Sequence, residues 1–186
     1  VEIAKKYIPN RVERLEEEWG DNLCEEKQIE SAIIHYIEAG SKEKAIEAAI
    51  QARKWEKAIE LANNCPIDIS RPFFNDIGNH FELQRKLDLA EKYYLKASEP
   101  VNVFNMYVKV GKWEKAEMII KKYMKDEDFS KVIVKEAMKY EKEGKYKEGE
   151  KLYIIAGEHD IAISMYKNLK QYDNMIRLVS QYRQDF

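Results

Sequence analysis

Three imidazoles, two thiols and a large number of carboxylates are the groups in this sequence that could do chemistry. His35, His80 and His159 could act as bases or ligands only beside convergent partners, and none has a Ser, Cys or carboxylate at triad-like spacing. Surface or partly buried helix positions are the reading their neighbours support. Cys24 and Cys65 stand far apart, with no CxxC spacing and no His pair to complete a zinc site. They are expected to be reduced. The run Glu16, Glu17, Glu18 reads as a solvated helix face rather than an acid–base pair. No GxGxxG, GxxxxGK[ST] or HExxH occurs. Lys121, Lys122 and Lys125 run directly into Asp126, Glu127 and Asp128, so they form no phosphate track. The chain is expected to be no enzyme, with no catalytic residue, cofactor, metal or nucleic-acid partner.

Any elements that position such groups must be helical. The 186 residues carry 32 Lys and Arg against 34 Asp and Glu, with only 7 Gly and 4 Pro. The residues that dominate are good helix formers, and the charge balance favours neither nucleic acid nor an anionic membrane. No apolar run approaches the roughly 20 residues of a membrane span, so no direct membrane insertion is expected, and a cytoplasmic location is. Beginning at Val1 with no leader-like pattern, the sequence reads as an internal piece of a longer protein.

Self-comparison reveals the organisation. Residues 28–64, 86–122 and 145–181 align without gaps, offset by 58 residues (28 to 86) and then 59 (86 to 145). Each block carries a small–aromatic–small stripe on one helix face: Ala32, Tyr36, Ala39; Ala90, Tyr94, Ala97; Gly149, Tyr153, Ala156. Small residues admit a neighbouring helix and the Tyr fills the space beside it. A partner helix lies upstream, with Gly20 and Leu23, Gly78 and Phe81, then Ala137 and Tyr140. Each block adds a second, shorter hairpin. It begins near Ala45, Val103 and Ala162 and continues to Ala58, Ala116 and Met175, preceded by Trp55, Trp113 and Tyr172 at one shared position. Aromatics recurring at one repeat position read as core knobs rather than a ligand cage.

The predicted fold is all-α, a right-handed α-solenoid of helical hairpins. About twelve helices form a single fragment in three superrepeats, about 10–64, 70–122 and 130–181. Ser41, Ser98 before Pro100, Ser70 before Pro72, and Ser130 read as helix starts. The stretches 63–72 and 124–130 separate the superrepeats. Apolar ends predict weak end-to-end self-association at high concentration.

The recurrent pattern resembles the tetratricopeptide signature. Some tetratricopeptide domains clamp a peptide carboxylate with cations at two positions per hairpin. Here those positions hold Glu17 and Asp21, Asn75 and Asn79, Val134 and Met138, and in the shorter hairpins Glu43 and Glu47, Val101 and Asn105, Asp160 and Ser164. With no cation among them, a carboxylate clamp is disfavoured.

A narrower likeness rests on GKYKEGEKLYIIAGEHDIAISMYKNLKQYDNMIRLVSQY (144–182) and KQIESAIIHYIEAGSKEKAIEAAIQARKWEKAIEL (27–61). These resemble, in order, the helical region of a peripheral subunit of intraflagellar transport complex B, and the likeness covers nearly the whole chain. It implies a scaffold with amino-terminal propellers and a helical tail, at the cilium, flagellum and basal body. The partners it implies are other intraflagellar transport subunits, and it supplies no partner-binding residue. A peptide-binding adaptor and a coat-like membrane-trafficking solenoid are the competing readings.

Overall fold

The computed structural model describes residues 11–123 and 127–183, the side chains of 127–129 excepted. Twelve helices and no strand occur among the described residues. The first four are α1 (Val12–Glu25), α2 (Ile29–Glu38), α3 (Lys42–Gln51) and α4 (Trp55–Asn63). Next come α5 (Ile67–Leu83), α6 (Leu87–Lys96), α7 (Pro100–Lys109) and α8 (Trp113–Tyr123). The last four are α9 (Glu127–Lys142), α10 (Tyr146–Ile155), α11 (His159–Asn168) and α12 (Tyr172–Tyr182). The expected all-α class, built of tetratricopeptide-like hairpins, is what the chain has. Contacts gather it into two compact units that part between Lys112 and Trp113, so α1–α7 belong to the first and α8–α12 to the second.

Nine turns share one device. The residues at 27, 40 and 53, then 85, 98 and 111, then 144, 157 and 170 all have positive φ, between 56° and 78°. In each case the following amide donates to the carbonyl five residues back, as from Gln28 to Leu23 or Glu158 to Tyr153, at 2.8–3.0 Å. These are Schellman closures, which satisfy the orphan carbonyls at a helix end and reverse the chain in about three residues. Short reversals make neighbours antiparallel, and each helix from α1 to α7 in the first unit, and from α9 to α12 in the second, packs on the next.

Several helix starts differ from expectation. Ser98 is the left-handed residue of a turn (φ 63°), so α7 starts one step later, with Glu99 ahead of Pro100. α5 begins at Ile67 behind Pro66 and runs through both Ser70 and Pro72. The Pro66 backbone (φ −53°, ψ 144°) already sets the chain for a helix. Ser70 Oγ then donates to the Pro66 carbonyl at 3.1 Å, leaving only residues 64–66 between α4 and α5. Ser130 lies inside α9, and residues 124–126 of the second separating stretch lie outside the described residues. Ser41 does precede α3, but its hydroxyl donates to Glu17 on α1 rather than capping its own helix.

Within the first unit, one core joins Leu23, Ala32, Tyr36, Ala45, Ala49 and Ala58. The next joins Ile46 and Ala62 to Phe74, Ile77, Tyr93 and Ala97, so each hairpin is covered by its sequence neighbour. In the second unit Ala116, Ile133, Ala137, Leu152, Tyr153, Tyr166 and Leu178 are all buried.

The buried tyrosines carry hydroxyls that need partners, and carboxylates supply them. Tyr94 donates to Glu82 at 2.7 Å and Tyr153 to Glu141 at 2.8 Å, each across the turn of a first hairpin. Tyr107 donates to Glu91, and Tyr166 to Glu150 at 2.6 Å, linking one hairpin to the next. Hydrogen bonds to a charged group contribute about 1.5–3 kcal/mol, whereas a stranded buried hydroxyl costs about 1–3 kcal/mol. Glu141→Leu is therefore expected to cost about 2 kcal/mol. Adding Tyr153→Phe should restore part of that loss, a coupling that urea unfolding of the two singles and the double would measure. Ser98→Gly, at an exposed left-handed position, is expected to raise stability by about 1 kcal/mol, read as an upward shift of the melting temperature.

Candidate interaction surface

The positions where a carboxylate clamp would lie are bonded across hairpins. Lys44 on α3 reaches Glu17 at 2.7 Å and Asp21 at 2.8 Å, both on α1. Ser41 Oγ donates to Glu17 at 2.6 Å and Tyr36 OH to Asp21 at 2.9 Å. The Lys44 ammonium holds both carboxyls below their usual range, and the pair raises Lys44 in return. In the next superrepeat Asn102 Nδ2 donates to Asn75 Oδ1 at 2.8 Å, joining α7 to α5 in the same way. Glu43, Glu47, Asn79, Met138, Asp160 and Ser164 are exposed, while Val101, Asn105 and Val134 are part-buried. In the first unit the projecting groups at these positions are acidic or neutral, and Lys44 beside them is already shared between two carboxylates.

The three histidines are held at three separate places. Glu16 departs from the solvated face expected of it: its carboxylate is buried, with His35 Nδ1 at 2.7 Å, and Trp19 is tilted beside that imidazole. His80 stacks on Trp55 at 3.9 Å between ring centres. Burial, with Lys86 nearby, pushes its pKa down. His159 stacks on Tyr182. Among the described residues no group of three or more His, Cys, Asp or Glu is arranged to hold a metal ion. No described helix is long and apolar enough to cross a membrane.

The residues singled out for the repeat core fall in graded environments. Gly20, Leu23, Ala32, Tyr36, Ala58, Gly78, Ala90, Tyr94, Ala97, Ala116, Ala137, Gly149 and Tyr153 are buried. Ala39, Phe81, Tyr140, Ala156, Trp55 and Trp113 are part-buried. Trp55 presents its face to His80, and Trp113 lies under the Lys151 ammonium at 4.9 Å. Tyr172, at the same repeat position, stands 54% exposed on α12, the last described helix. A shared register position does not fix what covers it. Trp19, beside the buried Gly20, is likewise 53% exposed.

The carboxylates at 82, 91, 141 and 150 were missed as partners, although their recurrence at 59 residues (82 to 141, 91 to 150) is written in the sequence. The twelve- and sixteen-residue spacings to Tyr (82 to 94, 91 to 107) span a turn and match no helical period, which is why periodicity overlooks them. Arg177 adds a two-pronged contact to Glu150, at 2.7 and 2.8 Å, tying α12 to α10.

Successive hairpins with interlocked tyrosines define a tetratricopeptide-like helical repeat chain. Over its whole length it is homologous to a segment of intraflagellar transport protein 172. The mouse homolog is 40% identical over 185 residues, covering 100% of this chain. The Chlamydomonas reinhardtii protein is 39% identical over 187 residues, again covering the whole chain. Intraflagellar transport protein osm-1 of Caenorhabditis elegans is 30% identical over 183 residues, 98% of the chain. The chain spans only 11% of the length of the first two relatives and 10% of the third. No protein-family profile matches it.

The Lys44 contacts carry a pH signature. Carboxyls whose pKa is lowered on folding contribute stability that is present above their unfolded range and lost as pH falls through their folded values. Lys44→Ala is thus expected to lower the urea midpoint near about pH 7 and to have little effect near about pH 2, where both partners are protonated in either state. The difference should shrink in high salt, because all three groups face solvent.

Proposed function

We propose that this chain is a length of the helical scaffold of an intraflagellar transport subunit. In this reading it offers protein-binding surface to other transport subunits in the cilium or flagellum and catalyses nothing. The observation that carries the reading is the match to intraflagellar transport protein 172 at about 40% identity along the entire chain. The physical design agrees with it. Within the first unit each hairpin buries its apolar stripe on its neighbour, which leaves its charged faces to meet other proteins.

The three superrepeats are read here as one continuous solenoid fragment, with the buried tyrosine pairs as the fasteners between successive hairpins. The clamp positions argue against an adaptor that holds a terminal carboxylate, since Glu17 and Asp21 would repel it and Lys44 is shared between them.

Cross-linking of the native complex in ciliated cells, followed by mass spectrometry, tests the proposal. Cross-links from this segment are expected to reach other intraflagellar transport subunits. Cross-links confined to ribosomal or nuclear proteins would overturn it.

A further inference from the structure

A cleft of about 500 Å³ opens on the first unit between α4 and the carboxyl-terminal end of α5, at the edge where the α3–α4 and α5–α6 turns lie. Its apolar lining is Trp55, Ile59, His80 and Phe81, with the Trp55 and His80 rings stacked at 3.9 Å and the His80 and Phe81 rings edge to face at 5.5 Å. Four cations surround it, Arg53, Lys54, Lys57 and Lys86, against the single carboxylate of Glu56. The chain as a whole carries a net charge of −2, so this local excess is not a property of the composition.

Lys54 pairs with Glu30 at 2.7 Å and Lys57 with Glu60 at 3.0 Å. All four of those side chains are largely exposed, and such pairs exchange readily for an incoming carboxylate.

The register-equivalent positions one superrepeat later sharpen the point. There Arg53 is replaced by Gly111, Ile59 by Glu117, His80 by Lys139 and Gln84 by Glu143, and Lys145, the equivalent of Lys86, is engaged by Glu143 at 2.7 Å. The second copy keeps the Trp, as Trp113, and the three lysines, as Lys112, Lys115 and Lys145, but sets the carboxylates of Glu114, Glu117 and Glu143 among them where the first copy has Glu56 alone.

We propose that this cleft binds an acidic linear segment of a partner protein, one apolar side chain of that segment resting on Ile59 and Phe81 while its carboxylates meet Arg53, Lys57 and Lys86. The proposal rests on the scaffold reading and assigns it one specific contact surface, distinct from the clamp positions on α1 and α3.

The test is fluorescence anisotropy of the whole chain with a labelled synthetic peptide of alternating Glu and Asp around one Phe. Binding should weaken about tenfold or more in Arg53→Glu/Lys86→Glu, and measurably in Gln84→Glu, which imports the carboxylate that stands at Glu143. Gln84 is exposed, so that variant keeps the test decisive if the double reversal fails to fold. Lys145→Glu, at the register equivalent of Lys86, should leave binding unchanged, and replacing the peptide Phe by Gly should weaken it.

Equal loss in Lys145→Glu would overturn the proposal, since general charge would then be responsible. Tighter binding of polyuridylate or of phosphatidylserine vesicles through these same residues would also overturn it. Failure of the peptide to bind while cross-links to transport subunits persist would overturn the cleft and leave the scaffold reading standing.

Discussion

Two helices of a hairpin can lie this close only where a small residue on one faces a tyrosine ring on the other. A Cβ added at Gly20 would meet the Tyr36 ring at 2.7 Å, and one at Gly78 would meet Tyr94 at the same distance. Both are closer than packed carbon atoms come, so the ring position sets the residue opposite. The ring cannot simply swing away, because its hydroxyl is fixed by Asp21 or Glu82 at the far end. In the third copy the small positions trade places: Ala137 stands on the first helix and Gly149 on the second, where a Cβ would meet the Ala137 carbonyl at 3.4 Å. The sum of the two side chains is kept while its division changes. The spacing between the two helices of each of these hairpins hangs on this contact.

The polar ends of the rings obey an equally strict accounting. Superrepeats two and three place a Glu twelve residues before the hairpin tyrosine (82 before 94, 141 before 153). The first has Cys24 there, and Tyr36 turns its hydroxyl to Asp21 instead, with the thiol at 3.4 Å. The second pair behaves differently. Glu91 with Tyr107 and Glu150 with Tyr166 correspond to Ile33 with Ala49 in the first copy, which are both buried and both apolar. Losing one member alone would strand a hydroxyl or a carboxylate in the core, whereas losing both leaves ordinary apolar packing. The pair is present or absent as a unit for that reason.

Most of the architecture was legible because small–aromatic–small stripes at fixed offsets report helix faces directly. Ala32, Tyr36, Ala90, Tyr94 and Tyr153 are buried where that stripe put them. Helix beginnings were less legible. Serine at 98 suggests a cap, yet the turn needs a left-handed residue there and Ser occupies it, just as Gly40 and Gly157 do at the matching turns. Serine at 70 suggests another, yet Pro66 starts the helix a turn earlier. The edge aromatics were ambiguous for a different reason. Register identifies Trp55, Trp113 and Tyr172 as equivalent, but their cover differs: Trp55 stacks on His80, where the next copy has Lys139, and Trp113 lies under Lys151, whose equivalent Lys92 stands over Tyr93 instead.

That last distinction separates what holds the array together from what it can recognise. Positions that set helix spacing are constrained by a ring and a carboxylate, so they vary only in compensated sets. Turn edges and exposed helix starts carry no such constraint, and there the copies diverge freely in charge: Ile59 against Glu117, Gln84 against Glu143, His80 against Lys139. A repeat protein whose interior is this uniform can tell one partner from another only through such unrepeated positions. The edge of the first unit, where Trp55 is covered by an imidazole and flanked by lysines, differs from its register equivalent in charge while keeping its tryptophan. Specificity along the scaffold therefore belongs to the seams between hairpins rather than to the fold they share.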